Sequence, residues 1–204
     1  MAAKKKFQRK LPIGVKLIHF DIHKDDRGAF TEIFREEWKT GMKPVQWSVA
    51  ISQARVLRGF HVHIKHTDYL ILLSGHATFA FKDLRKKSKT FGLSCTVDAK
   101  REKLSAFVIP PGVGHGFYFH KPSMHIYSVS SYWDRDDELG CFWADPALGI
   151  KWPKKTAHVS RRDATLPLLE ELMKELYPKA KKEKKISRWS SRDHLSNFAN
   201  SSAD

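Results

Sequence analysis

Cysteine is almost missing from this chain. Its two copies, Cys95 and Cys141, lie far apart and form no CxxC pair, which excludes a disulfide-stapled scaffold and fits a reducing compartment. Long apolar runs are missing as well. Nothing approaches the roughly 20 residues that span a bilayer, and no apolar stretch of signal-peptide length follows the basic start MAAKKKFQRKLPIG. No internal repeat of useful period is present. These absences predict a cytoplasmic protein without a membrane partner. Acidic residues are scarce against basic ones, 22 against 37, for a net charge of +15. Residues 1–16 carry +6 of that charge and residues 178–204 carry +4, which leaves +5 for everything between. Basic ends of this kind behave as solvated tails, so nucleic acid is an unlikely partner. The remaining charge suits an anionic small ligand.

What is abundant is short alternation of apolar and polar residues. Val15–Ile22, Phe30–Phe34, Val45–Ser52, Val56–His63, Tyr69–Leu73, His76–Lys82, Ser105–Ile109 and Met124–Trp133 each read as strands. Turn signals separate them, HKDDRG among them. Phe30, Glu32 and Phe34 fall on one face of their segment, and His125, Tyr127 and Val129 on one face of theirs. The one helical stripe is Leu166–Leu176, for which Thr165 is a candidate cap and Pro167 a first-turn residue. Many short strands with Gly and Pro turns predict an all-β sandwich or barrel with one C-terminal helix. The expected layout is a basic tail over residues 1–14, a domain over 15–177 and a polar basic tail over 178–204, where Trp189 and Phe198 could dock.

The chemistry concentrates in RGFHVHIKHTDYLILLSG, residues 58–75. His61 and His63 alternate with apolar neighbours, so both imidazoles point to one face of a strand. Asp68 follows, and a Pro/Gly turn at IPPGVGHGF delivers His115. The spacing His61-x-His63-x4-Asp68-x6-Gly75, then Pro110-x-Gly112-x2-His115, resembles the paired motifs of metal-binding cupins. His61, His63, Asp68 and His115 would suit a first-row divalent metal. The same scaffold also serves metal-free enzymes.

Blocks outside that motif resemble one family. They are DDRGAFTEIF, VLRGFH, PPGVGHGF, YSVSSYW, ELGCFWADPALGIKWP and SRRDATLPLL, spread in order over residues 15–177. Together they resemble the dTDP-4-dehydrorhamnose 3,5-epimerases, cupin jelly-roll enzymes that act on nucleotide-linked 4-keto-6-deoxy sugars. The resemblance implies a cofactor-independent, homodimeric isomerase whose partner is a nucleotide sugar. It implies His61 as the catalytic base, Asp163 as its paired carboxylate and Tyr127 as the acid on the other side of the sugar. It also implies substrate contacts at Arg27, Phe30, Glu32, Gln46, Ser48, Arg58, Asp68, His115, Trp133, Glu138 and Arg162. Arginine suits a pyrophosphate because the guanidinium offers paired donors. An imidazole can remove a proton next to a ketone near neutral pH.

The chain departs from the family pattern inside the pocket. Asp68 stands where a lysine usually steadies the enolate oxygen, Gln46-Trp47-Ser48 replaces Gln-Asp-Asn, and His63 replaces a glutamine. Oxyanion stabilisation then has to come from Lys65, His63 or a backbone N–H. Two other readings compete with the epimerase: a metal-dependent cupin using His61, His63, Asp68 and His115, and a non-catalytic protein that binds sugar nucleotides or nucleic acid.

Overall fold

The structure is a computed structural model that describes residues 10–178. The stretches 1–9 and 179–204, with Trp189 and Phe198, lie outside the described residues.

Two antiparallel five-stranded sheets make the body of the molecule. The first is formed by β1 (Lys16–His19), β4 (Gln46–Ser52), β6 (Asp68–Ser74), β9 (Ser105–Ile109) and β11 (Ser123–Val129), in the order β1-β9-β6-β11-β4. The second contains β5 (Leu57–Val62), β7 (His76–Asp83), β8 (Ser94–Lys100), β10 (Val113–Phe119) and β12 (Leu139–Gly140), in the order β12-β5-β10-β7-β8. A separate hairpin joins β2 (His23–Asp25) to β3 (Gly28–Phe30). The all-β jelly-roll expectation holds. Strict alternation explains it, since each strand sends every second side chain inward.

The inward side chains of both sheets meet in an aromatic-rich core of Phe79, Phe81, Phe107, Phe117, Phe119, Leu70 and Leu72. Each buried Phe or Leu contributes roughly 1.5–3 kcal/mol through removal of apolar area from water. The outer face of the second sheet is covered by residues 139–176, with Phe60 and Tyr118 packing on Trp143, Leu148 and Leu172. Leu11 packs against the core and Ile13 N–H donates to Thr90 Oγ1 at 2.9 Å, so the fold is engaged slightly ahead of Val15.

Several local expectations are corrected. The strand expected over Phe30–Phe34 ends at Phe30, and Tyr69 Oη donates to the Ile33 carbonyl at 2.7 Å instead. β8 gave no clear alternation because SCTVDAK is a half-exposed sheet edge. The C-terminal helix starts late. Thr165 closes a short helix α1 (Arg161–Ala164), and α2 (Leu169–Leu176) begins without a local side-chain cap. Its first N–H, on Leu169, donates to Asp145 Oδ2 at 2.7 Å, a cap supplied from 24 residues upstream.

One irregularity shapes the pocket. His115 pairs with His61 while Phe117 pairs with Arg58, so β5 carries one extra residue against β10. This bulge brings Arg58 and His61 to the same face, although residues three apart on a regular strand point oppositely. Gly59 makes it possible. Its φ is +116°, and an added Cβ would sit 2.8 Å from Gly116 Cα.

Candidate active site

Between the two sheets, open at one end, lies a cavity of about 540 Å³. Its walls come from both sheets: Gln46, Asp68, Leu70, His125, Tyr127 and Val129 from the first, Arg58, His61 and His115 from the second. Trp133, Glu138, Arg162 and Asp163 close its rim and side.

His61 is held by Asp163. The segment after Trp152 runs back along β5, where His158 N–H donates to the Arg55 carbonyl at 2.8 Å and Leu57 N–H to the His158 carbonyl at 2.9 Å. Ser160 then caps α1, its Oγ accepting from Asp163 N–H at 3.0 Å, and α1 presents Asp163 to the sheet. Asp163 Oδ1 lies 2.8 Å from His61 Nε2, and Oδ2 accepts from Gly59 N–H at 3.2 Å. Burial raises the Asp163 pKa, but the His61 contact and the Gly59 N–H outweigh it and hold the carboxyl below the ordinary carboxylate value. An ionised Asp163 accepts a hydrogen bond from His61 Nε2–H, which leaves Nδ1 as the nitrogen of His61 that can take a proton.

Tyr127 reaches the cavity from β11, on the sheet opposite His61. Arg58 donates from Nε to Ser52 Oγ at 2.9 Å and from Nη2 to the Ile51 carbonyl at 3.3 Å. Arg162 donates to Glu138 Oε2 and to the Glu138 carbonyl, each at 2.8 Å. The Trp133 backbone N–H donates to Gln46 Oε1 at 3.0 Å. These contacts pre-set two guanidinium groups and an amide around one opening.

The floor is different in character. His63, His66, Asp68, His115 and Asp137 are all buried there. His63 Nδ1 donates to the Asp137 carbonyl at 2.9 Å, and His115 Nδ1 makes a long contact of 3.4 Å to the Val113 carbonyl. A carbonyl only accepts, so both rings present an N–H at Nδ1. Asp137 Oδ1 accepts Ile64 N–H at 2.7 Å, and its Oδ2 accepts Lys65 N–H at 3.0 Å. His66 Nδ1 lies 3.0 Å from Asp137 Oδ2 but off the line of a hydrogen bond, and its Nε2 lies 3.6 Å from Asp68 Oδ1. Burial lowers the His66 pKa, yet Asp68 and Asp137 more than reverse this and leave it raised. Burial raises that of Asp68, and the surrounding imidazoles, His66 first, bring it net below the ordinary value. Desolvation pushes His115 down to about 4, so it is neutral at pH 7.

The structure gathers most of the residues singled out in the sequence. His61, Tyr127, Asp163, Gln46, Arg58, Asp68, His115, Trp133, Glu138 and Arg162 all line one cavity. Four do not. Arg27, Phe30 and Glu32 are exposed on or just beyond the β2–β3 hairpin, where Arg27 pairs with Asp25 and Glu32 with Arg35. Ser48 shares the inner face of β4 with Gln46 and Ala50 but stops short of the cavity lining. The metal quartet is also rearranged: His61 is paired with Asp163, and His66 sits in the cluster in its place. Lys65 points outward to Asp134, and among the described residues no lysine lines the cavity. Sequence reading missed His66 and Asp137. The signal for His66 was its place between His63 and Asp68 within HVHIKHTD. Asp137 has no local signal, because its role is to accept N–H groups from residues more than 70 positions away.

A family profile described as dTDP-4-dehydrorhamnose 3,5-epimerase matches residues 10–171. The chain belongs to the dTDP-4-dehydrorhamnose 3,5-epimerase family. It is thereby an isomerase with the cupin-like β fold of that family. A curated family protein from Sinorhizobium fredii is 33% identical over 168 residues, covering 78% of this chain and 86% of that protein. Among solved structures, the epimerase from Legionella pneumophila in complex with dTDP-4-keto-L-rhamnose is 31% identical with a TM-score of 0.74, covering 82% of this chain and 94% of the other. ChmJ, a 3'-monoepimerase from Streptomyces bikiniensis in complex with dTDP-quinovose, is 28% identical with a TM-score of 0.73, covering 80% and 86%.

Proposed function

We propose that this chain epimerises a nucleotide-activated 4-keto-6-deoxyhexose of the dTDP type at a carbon beside the ketone, C3, C5 or both. The observation that carries the reading is the pairing of His61 with a buried Asp163 on one wall and a phenol, Tyr127, on the wall facing it. His61 Nδ1 removes the proton next to the C4 ketone, and the electron pair moves onto the ketone oxygen as an enolate. Asp163 keeps the imidazole in the required tautomer and stabilises the imidazolium that forms. Tyr127 returns a proton to the other face. Arg58 and Arg162, at the mouth, suit the anionic end of the nucleotide sugar. Incubation with dTDP-4-keto-6-deoxyglucose, followed by NMR of the product, tests the reading. A sugar recovered without any inverted centre at enzyme excess would contradict it.

The working unit we propose is a homodimer in the cytoplasm. No helix among the described residues is long and apolar enough to cross a membrane, and both cysteines are free thiols. Support for a dimer comes from β4, an open sheet edge whose outer face exposes Trp47, Val49 and Ile51, beside an exposed Met124. Phe30 on the nearby-sequence hairpin is 68% exposed. A second copy would cover this apolar face and receive Arg27, Phe30 and Glu32, residues that miss the cavity of their own chain. Ile51→Asp should therefore convert the protein from dimer to monomer in light scattering, with turnover lost alongside. A wild-type protein that runs as a monomer would rule the dimer out.

A further inference from the structure

We propose that His63, His66 and Asp68 hold a divalent first-row transition-metal ion at the floor of the substrate cavity. The metal-ligating atoms of these three buried residues all lie within 4.8 Å of one another. Bonds of about 2.0–2.2 Å to a common ion would need them roughly 3–3.5 Å apart, a small contraction. Two imidazoles and one carboxylate make a donor set suited to Zn²⁺, Fe²⁺, Mn²⁺ or Co²⁺. The set leaves coordination positions for a water or a substrate oxygen, the arrangement of a catalytic rather than a structural ion.

The hydrogen bonds around the cluster favour an ion. His63 spends its Nδ1–H on the Asp137 carbonyl, so Nε2 is the ring nitrogen left to face an ion. His66 is buried to 3% exposure, and its Nδ1 makes no hydrogen bond, only the close contact with Asp137. Asp137 thus stands behind both rings, its carbonyl on one and its carboxylate near the other, as outer partners stand behind metal-bound histidines. His115, whose ring centroid lies 5.3 Å from that of His63, adds another lone pair beside the cluster. A floor that sets the Asp68 carboxylate among imidazole nitrogens attracts a cation.

The inference rests on the epimerase reading for its purpose, though not for its test. An enolate needs positive charge near its oxygen, and among the described residues no lysine lines the cavity to supply it. An ion on Asp68 would stabilise negative charge on the ketone oxygen while His61 takes the carbon-bound proton, and would stay bound and unchanged once Tyr127 has returned one and the product leaves. No electrons are gained or lost by the metal. This departs from the cofactor-free expectation, and it differs from the cupin-type quartet because His61 stays with Asp163 as the base.

The test uses the full chain, stripped with a chelator and reloaded with Co²⁺. After washing, the wild type should retain close to one Co²⁺ per chain and show a d–d absorption band. His66→Gln and Asp68→Asn should each weaken Co²⁺ binding by about 100-fold or more. His120→Gln should leave it unchanged, which separates this site from the partly exposed cluster of His76, Asp98 and His120. Stripping should slow deuterium exchange into the substrate by about 10²-fold, as for loss of an oxyanion donor, with recovery on reloading. A folded wild type that retains no ion overturns the site, as does Co²⁺ binding unaltered in both variants. Stoichiometric binding with exchange indifferent to stripping overturns the Lewis-acid role. Ion content is read without substrate, so an inactive protein would count against the epimerase reading and leave the metal result standing.

Discussion

Replacing His61 by Asn will abolish deuterium exchange and epimerisation together, each by about 10³-fold or more. The reason is the order of events. Neither carbon can be inverted before a proton has left it, and His61 is the cavity-lining imidazole that a buried carboxylate, Asp163, holds in a 2.8 Å hydrogen bond at Nε2, which leaves Nδ1 for the substrate. Asparagine keeps a polar group in the position but cannot accept a proton near neutral pH. Asp163 would still hold the Gly59 N–H and remain anchored by Ser160 at the start of α1, so the variant should fold. Thermal unfolding recorded beside the exchange assay checks this. Exchange persisting near the wild-type rate in a folded His61→Asn protein would move the base elsewhere in the cavity.

Replacing Tyr127 by Phe will separate the two observables that His61→Asn removes together. Inversion needs the proton to leave one face and return to the other, and His61 and Tyr127 reach the cavity from opposite sheets. Without the phenol, His61 can still remove a proton, trade it for a solvent deuteron and return it to its own face. Label should therefore enter with retained configuration at no worse than about a tenth of the wild-type rate, while net inversion falls by roughly 10²-fold or more. The substitution removes a single oxygen and leaves the ring packed near His125, so the fold should be little changed. NMR of the recovered sugar resolves label and configuration at the same carbon. Inversion at the wild-type rate in Tyr127→Phe would reduce Tyr127 to a packing residue and direct the search for the acid to His115 or a bound water.

The parts of this site that were legible in the sequence are those that alternation dictates. His61 with His63, and His125 with Tyr127 and Val129, share faces because residues two apart on a strand must do so. The parts that were not legible depend on pairing across the chain. A bulge is one extra residue against a partner strand, and nothing inside VLRGFH marks which residue is extra until His115 and Phe117 are seen opposite it. Asp145 as the cap of α2 is likewise invisible locally, and Thr165 was the natural candidate in its absence. The Arg27–Glu32 segment resembles the family strongly, yet it lies away from the cavity of its own chain. A motif marks residues without saying where the fold will place them. His66 escaped because it sits in the turn between β5 and β6, where neither strand nor helix period applies.

The most direct measurement of the central claim is wild-type turnover of dTDP-4-keto-6-deoxyglucose in deuterated water, read by NMR at each sugar carbon. Deuterium entering at C3, at C5 or at both, with inverted configuration at the labelled carbon and none at C1 or C2, is the predicted result. A sugar that comes back unlabelled and uninverted, from protein that is folded and carries its ion, would contradict the account.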